Sequence, residues 1–539
     1  MREFFEFAVE NIIKYGDTDI FPYPIENYIF YDRKKEVLDL LEDMFENFNE
    51  YITKCPPMNE SMLVSSSYTG FRWATQIDPI WNAFFLGLTL SISEKIESTR
   101  IPSNENKVFS YRIKIDKEKY TIFDSQYGWS SFYSESLKKA EVHKFVLICD
   151  ISNFYSNTYH HRIENSISKL NIGDKNIEKY IMKFLQNFSS TKSYGLPIGC
   201  QASRILAELL LNRTDKLLRS KGIEFCRFVD DYHIFANSEE ELYEHLLYLS
   251  RILIDNEGLL LQKSKTRIIS SEEFINTSKF SCTQDSDEAS NSDEIDIEED
   301  YTNLFSISLR YDPYSMTAEE DYENLKEELN KINIIGLLSR ELNKSRVHSI
   351  VMKKIISSIK YMDDSIMNQA ILSLLDNIDI LLPVFPNLMI LISNIFDKLK
   401  EDTQDTILDT IVKMIKEKHY IMQIQLNLAY AIRVLAKKYC YENEDVLVEL
   451  YESENSILIK KDILTIMTQW ECDYWISDLK NRYNTLTTWE KRVFIMSSYI
   501  LKDEGKHWRN HRKSEFSEID KIYRDWMSIK SSSGSGLRI

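Results

Sequence analysis

The sequence predicts an α+β domain followed by an all-α domain, on three observations. Short apolar runs bounded by turn residues, the mark of strands, fall in the first half, at 108–123, 145–149 and 223–235. From about 320 to 528 the pattern is a succession of amphipathic helices. Glycine and proline number only 13 and 10 in 539 residues, against average usage of about 7% and 5%, so helix dominates. The boundaries that follow are 1–277 for the α+β domain, 278–302 for an acidic linker or loop, 303–530 for the helical domain and 531–539 for a flexible tail.

The chain opens with an amphipathic helix, whose charges in Met1-Arg2-Glu3-Phe4-Phe5-Glu6 argue against a signal peptide. A proline-punctuated extended segment, Gly16 to Glu26, and a second helix from about Asp32 to Phe48 come next. Arg72, beside Trp73, is placed either to offer a bidentate guanidinium to phosphate or to pack against Asp78. An apolar helix then runs through Phe84 and Leu90. Val108 to Ile115 and Tyr120 to Phe123 alternate about a polar tip, which reads as a hairpin carrying Arg112 and Lys114.

The centre of the α+β domain is Arg227-Phe228-Val229-Asp230-Asp231-Tyr232-His233-Ile234-Phe235, two adjacent carboxylates between apolar runs. This reads as a tight hairpin with the aspartates at its tip. Adjacent carboxylates that lose hydration repel, and a divalent cation is their strongest neutralising partner. A third carboxylate, Asp150, ends the unbroken apolar run Phe145 to Cys149, which fits a central strand covered on both faces. Asp150, Asp230 and Asp231 together suit a hard cation such as magnesium, with substrate phosphates completing its shell, and two such ions can clamp an in-line phosphoryl transfer. Standing alone, Asp150 would have the lesser alternative of a helix cap, and Asp230 and Asp231 that of turn residues.

The stretches between these aspartates resemble the palm of a reverse transcriptase. Asp150 to Tyr155 is similar to its first motif, Gly195-Leu196-Pro197-Ile198-Gly199 to its second, Phe228-Val229-Asp230-Asp231 to its third and Leu261-Gln262-Lys263-Ser264-Lys265-Thr266 to its fourth, all in the family's order. The wording is most similar to bacterial abortive-infection and defence-associated reverse transcriptases of the AbiK-like kind. Phe228, Ile198 and Gln262 depart from the family's usual tyrosine, glutamine and asparagine.

The resemblance implies a fingers-palm fold with catalytic and metal-binding Asp150, Asp230 and Asp231. It implies Mg2+, two ions, with Mn2+ as the substitute. The nucleotide-binding residues it implies are Arg112 and Lys114 on a basic fingers hairpin, Tyr155 under the sugar, Gly195, Gly199, Gln201, Lys265 near the leaving pyrophosphate, and Arg72. The partners are dNTPs, a DNA product, a template or non-coding RNA, an unidentified phage trigger and further copies of the chain in a homo-oligomer. Synthesis on a tyrosine of the protein itself, with weak or no template instruction, is a further expectation from AbiK-like enzymes. Two rivals stand beside it: a catalytically silent scaffold or sensor that binds phage or host protein through its helices, and an RNA polymerase of viral type, against which Tyr155 speaks.

Within the palm, Ile163 to Phe188 reads as one helix, opened by His160-His161 at the surface or as a cap. Arg204 and Glu208, four apart on the helix after the second motif, are spaced to pair. Glu239 to Asn256 reads as helix, and Leu259-Leu260-Leu261 as a strand with Lys265 at its exit.

The net charge of −18 is uneven: nine acidic and no basic residues lie in 285–300, whereas 101–200 holds 14 basic against 10 acidic residues, the sign that attracts triphosphate. The acidic stretch is a solvated linker or, alternatively, a nucleic-acid mimic lying in the groove. Seven scattered cysteines indicate neither zinc nor disulfides, which suits a cytoplasmic protein. No uninterrupted apolar run reaches about 18 residues, so no membrane span is expected.

The helical half, with helices in antiparallel pairs, reads as an α-solenoid of the HEAT kind. AbiK-like enzymes are likewise continued by helical repeats. Tyr361-Met362-Asp363-Asp364 copies a polymerase signature letter for letter, but its helical surroundings place Asp363 or Asp364 at a helix N-cap. Lys506 to Lys513 is a basic cluster with Trp508, read either as a nucleic-acid contact or as a solvated connection.

Overall fold

A computed structural model describes residues 1–189, 192–278, 304, 325, 326, 329, 332–533, 536 and 537. The acidic segment beyond 278 and the first helix expected after it, from Tyr322 to Leu342, lie wholly or partly outside the described residues, as does part of the tail. The chain divides into two compact units. One comprises Met1–Asn59, Thr75–Ser290 and Ser517–Ile522; the other comprises Glu60–Ala74, Asn291–Phe516 and Tyr523–Ile539.

Among the described residues, eight strands are named in chain order. β1 (Asn59–Ser65) and β2 (Phe71–Ile77) form a two-stranded sheet that the sequence does not announce, and β3 (Ile113–Asp116) and β4 (Thr121–Phe123) form another. β5 (Phe145–Asp150), β6 (Glu224–Phe228), β7 (Asp231–Ala236) and β8 (Arg267–Ser270) form a four-stranded sheet in the order β6-β7-β5-β8, every pair antiparallel. β5 is therefore central, as its apolar run requires: Val146, Leu147 and Cys149 are fully buried.

Side chains alternate across the pleat. His233 points to the helix Trp129–Val142, where its Nδ1 lies 2.9 Å from Ser136 Oγ and its ring stacks on Phe132. Tyr232, the next residue back, lies beside Arg227, which binds Asp215 on the helix Gln201–Ser220. The sheet is thus covered on both faces. The apolar helix Pro79–Thr99 packs on the first helix, Arg2–Tyr15, and on Gln201–Ser220, and its carboxylate cap is Asp78, which accepts from the amides of Ile80 and Trp81.

Several expectations need correcting. Ile163 to Phe188 is two helices, His160–Ser168 and Lys175–Ser189, separated by Asn171 at φ 49°, a left-handed conformation that ends the first. The expected strand at Leu259–Leu261 is absent apart from a bridge between Leu261 and Ile151; a π turn at Leu253–Glu257 and Gly258 at φ 71° delay the strand to β8. The long first strand of the 108–123 hairpin is reduced to β3, because Tyr111 at φ 42° kinks it and Val108 bridges to Arg227 on β6.

In the second unit, alternate helices pack on one another. Ser349–Ile359, Phe385–Ile395, Gln425–Leu435, Ile457–Gln469 and Thr488–Ser497 form one succession of neighbours, and Ile334–Leu342, Asp364–Asp376, Glu401–Lys416 and Tyr441–Ser453 another. Glu60 of β1 belongs to this unit: its carboxylate accepts from the amides of Ile457 and Leu458 at 3.2 and 2.7 Å, capping that helix. Tyr68 does likewise, donating to Ile380 O at 2.5 Å and accepting from Val347 N at 2.8 Å. The stretch Ile378–Lys398 is apolar and long enough to cross a membrane by length and composition, but about half of it is buried among neighbouring helices.

Asp363 takes the N-cap position of Asp364–Asp376, with no capping bond from its side chain, which instead pairs with Lys326 at 3.3 Å. The Tyr361–Asp364 sequence is a helix boundary. The basic cluster near the end is tied into its own unit: Trp508 packs against Tyr483, Phe494 and Phe516, Arg509 stacks 3.5 Å over Tyr499 and donates to Ser498 O, and Arg512 pairs with Glu515. These side chains are occupied, so the nucleic-acid reading loses its aromatic and two of its charges.

Candidate active site

The three aspartates gather where β5 ends and the β6–β7 hairpin turns. Phe228 pairs with Asp231, which leaves Val229 and Asp230 as a two-residue turn, and Asp231 in turn stands directly opposite Asp150 across β5 and β7. The amide of Ile151 donates to Asp230 O at 3.1 Å, and that of Gln262 to Asp150 O at 2.7 Å, so the turn, the strand end and the fourth motif are stitched together by backbone. Antiparallel partners lie about 4.5–5.5 Å apart at Cα. Two carboxylates so placed repel unless a cation intervenes.

One cation is supplied by the chain. Lys265 Nζ lies 2.6 Å from Asp150 Oδ2. Burial disfavours its charge, but the hydrogen bond to Asp150, with Asp231 and Asp230 near, outweighs this and holds the ammonium above the ordinary lysine range. The other oxygen, Asp150 Oδ1, is buried without a hydrogen-bond partner. Such an orphan acceptor on a residue only 7% exposed is costly unless a ligand completes it. Among the described residues no group of three or more His, Cys, Asp or Glu side chains is arranged to hold a metal ion. Magnesium needs none, since one or two carboxylates with water and substrate phosphate suffice. The residues present therefore fit a divalent cation.

The second motif is bound to the first through backbone. Leu196 N donates to Tyr155 O at 2.8 Å, Gly195 N to Thr158 O at 2.8 Å and His160 N to Ser193 O at 3.0 Å. Tyr155 is half-buried on the short turn of helix Phe154–Asn157, beside the loop. Gly195 and Gly199 both adopt positive φ, 107° and 116°, which side-chain-bearing residues rarely reach. His160 is buried, not at the surface: its Nε2 lies 2.8 Å from Gly195 O, and burial lowers its pKa. Gln201 opens the next helix and accepts from Arg204 at 3.1 Å.

Arg112 does not reach outward. It is buried, donating to Ile101 O at 3.0 Å and pairing with Glu97 at 2.7 Å, so its guanidinium holds the hairpin to the preceding helix and is not available to a triphosphate. Lys114 remains exposed, 3.5 Å from Asp124. Arg72 belongs to the second unit, near Lys353, whose pKa burial and the Arg72 charge depress to about 8. Arg204 pairs with Asp19 and stacks over Tyr111, not with Glu208, as its spacing suggests.

Glu208 faces inward, into a charge cluster that sequence reasoning missed. Arg227 donates to Asp215 Oδ1 and Oδ2 at 2.8 and 2.7 Å, to Glu208 Oε2 at 2.8 Å and to Val229 O at 2.8 Å. Arg100 reaches the same Glu208 at 2.6 Å, as does Ser110 Oγ. Burial opposes the charge on Glu208, but the two arginines outweigh it and keep its carboxyl below the ordinary range. The only sequence signal is an arginine immediately before an apolar turn.

Residues 95–296 match the family model described as Reverse transcriptase (RNA-dependent DNA polymerase). No curated protein matches the chain. Among solved structures, telomerase from Candida albicans in complex with a fragment of telomeric RNA is 9% identical, over 79% of this chain and 70% of that one, with a TM-score of 0.29. Apo telomerase from Candida tropicalis is 11% identical over 78% and 71%, with a TM-score of 0.30. The matched stretch contains Asp150, Asp230, Asp231, the Gly195–Gly199 loop and Lys265, and the chain carries a reverse transcriptase domain.

Proposed function

We propose that this protein is a nucleotidyltransferase of reverse-transcriptase type that makes DNA from dNTPs with two magnesium ions. We further infer an AbiK-like role in anti-phage defence, in the cytoplasm and as a homo-oligomer, with the helical unit acting as a HEAT-like solenoid. The observation that supports the polymerase reading best is the register of Asp150 against Asp231 with Asp230 in the adjoining turn. Magnesium, when bound, supplies charge neutralisation at the reacting phosphate oxygens. Asp150 offers it the buried, unsatisfied Oδ1. In this reading Lys265 holds a proton for the leaving pyrophosphate, and the Tyr155 ring excludes a ribose 2′-hydroxyl.

Purified protein incubated with each nucleotide and Mg2+ or Mn2+, followed by sequencing of any product, tests the reading. Incorporation of deoxynucleotides that Asp230→Asn abolishes supports it; no incorporation with any nucleotide or metal overturns it. Priming on the protein is the finer part of the proposal, for which Tyr23, Tyr28 and Tyr31 are exposed near the N-terminus. Labelled product made without primer should then stay with the polypeptide through boiling in detergent; free nucleic acid refutes it. A silent scaffold is the second reading, favoured by Lys265 already occupying one oxygen of Asp150.

A further inference from the structure

Val229, the residue before the adjacent aspartates, has φ 53°. For a β-branched residue this left-handed conformation is an outlier, and such conformations persist only where the surroundings impose them. The two-residue turn between β6 and β7 calls for it, and a specific contact holds it. Arg227 Nη1 donates to Val229 O at 2.8 Å, from a guanidinium that is itself fully buried.

That guanidinium has almost no freedom. Its Nε and Nη2 make a two-point contact with Asp215 at 2.8 and 2.7 Å, and Nη2 and Nη1 reach Glu208 at 2.8 and 3.2 Å. Glu208 is fixed in turn by Arg100 at 2.6 Å and Ser110 at 2.6 Å, while Arg100 also donates to Ser110 O at 2.7 Å. The group joins the end of Pro79–Thr99, the approach to β3, the helix Gln201–Ser220 and β6. Arg100 also pairs with Glu97 at 3.0 Å, which Arg112 reaches at 2.7 Å, so three arginines stand against three carboxylates and the cluster is neutral, as burial requires. A planar fork suits this geometry and a lysine does not.

We propose that Arg227 is a positioning residue for polymerisation: acting through the Val229 carbonyl, it holds the strained turn that presents Asp230 and Asp231 opposite Asp150. The assignment rests on the polymerase reading of those aspartates. Its distinctive consequence is that the need for Arg227 comes from Val229. Glycine adopts positive φ at no steric cost, so Val229→Gly keeps the turn but removes the strain that Arg227 holds it against.

The test uses the full chain and four proteins: wild type, Arg227→Lys, Val229→Gly and the double variant. Mn2+ affinity is measured by electron paramagnetic resonance, beside dNTP incorporation and thermal unfolding. Arg227→Lys should weaken Mn2+ binding by about tenfold or more, the equivalent of one strained residue released. Adding Val229→Gly should recover most of that loss relative to Val229→Gly alone, while the melting temperature stays as low as that of Arg227→Lys, because the buried cluster is not rebuilt. A purely structural arginine predicts no recovery, and either that outcome or wild-type Mn2+ affinity in Arg227→Lys overturns the proposal. If Arg227→Lys does not fold, Asp215→Asn with and without Val229→Gly takes its place, since it loosens one anchor of the same fork, and the same recovery is required. A wild-type protein that binds no Mn2+ overturns the polymerase reading and the assignment with it; normal wild-type binding without recovery overturns the assignment alone.

Discussion

Thr18 Oγ1 sits where a side chain on Gly199 would begin: a Cβ there would lie 2.7 Å from it. The extended segment after the first helix therefore closes on the second-motif loop, and Asp19 reinforces it by pairing with Arg204. Gly199→Ala meets both this contact and a φ of 116°, and is expected to cost about 1–3 kcal/mol in denaturant unfolding. Adding Thr18→Ala should return only the part due to the contact, leaving the dihedral penalty in place.

Asp230→Asn is expected to reduce nucleotide incorporation to background with an unchanged melting profile. Asp364→Asn, in the copy of the signature that starts the helix Asp364–Asp376, should leave incorporation intact. The reverse pattern would show that the wrong pair of aspartates had been assigned to the chemistry.

Tyr155→Ala should raise ribonucleotide use relative to deoxynucleotide by about tenfold, the scale at which a packing clash discriminates. Competing the two triphosphates in one reaction and sequencing the product measures the ratio. Leu196 N donates to the Tyr155 carbonyl, a backbone bond that the alanine variant retains.

Lys265→Met removes the ammonium that pairs with Asp150 and so strengthens the repulsion between Asp150 and the facing Asp231. In chelator the variant should melt below the wild type. Added Mn2+ should raise its melting temperature by more than it raises that of the wild type, because in the wild type the metal replaces an existing partner.

His233 is buried beside Ser136, and burial lowers its pKa to about 3. The unfolded chain binds the proton more readily, so stability is full above the ordinary histidine value of about 6.5 and falls as pH drops below it, by about 1.4 kcal/mol per pH unit until the folded value is reached. Urea unfolding between pH 6.5 and 5 should show this slope, and His233→Gln should flatten it. Equal slopes in the two proteins would mean that other groups control the acid limb.

The turn that carries Asp230 and Asp231 was legible because its signals are local: an apolar run ending in Asp150, and two adjacent aspartates between apolar runs. What was not legible depended on where a side chain finds its partner. Arg112 carries the charge expected of a fingers hairpin, but Glu97 on the preceding helix captures it. Arg204 and Glu208 would pair on an isolated helix, yet Glu208 faces the core and meets two arginines from other segments, which bind it more strongly than a surface pair. β2 escaped notice because Ala74 to Ile77 are all buried, which erases the alternation that marks a half-exposed strand.

The membership of Glu60 and Tyr68 in the second unit bears on how the chain folds as it is made. The amide that completes Glu60's cap, on Leu458, is 398 residues away. At roughly 5–20 residues per second, synthesis of that interval takes on the order of 20–80 s. During that time the segments on either side of the hairpin can already assemble most of the first unit, all but Ser517–Ile522, while the hairpin itself stays without its final partners. A nascent chain stopped after the palm would therefore display Met62, Val64 and Tyr68, which the finished protein buries or occupies, and this exposed hairpin is the natural point of attack for chaperone or protease.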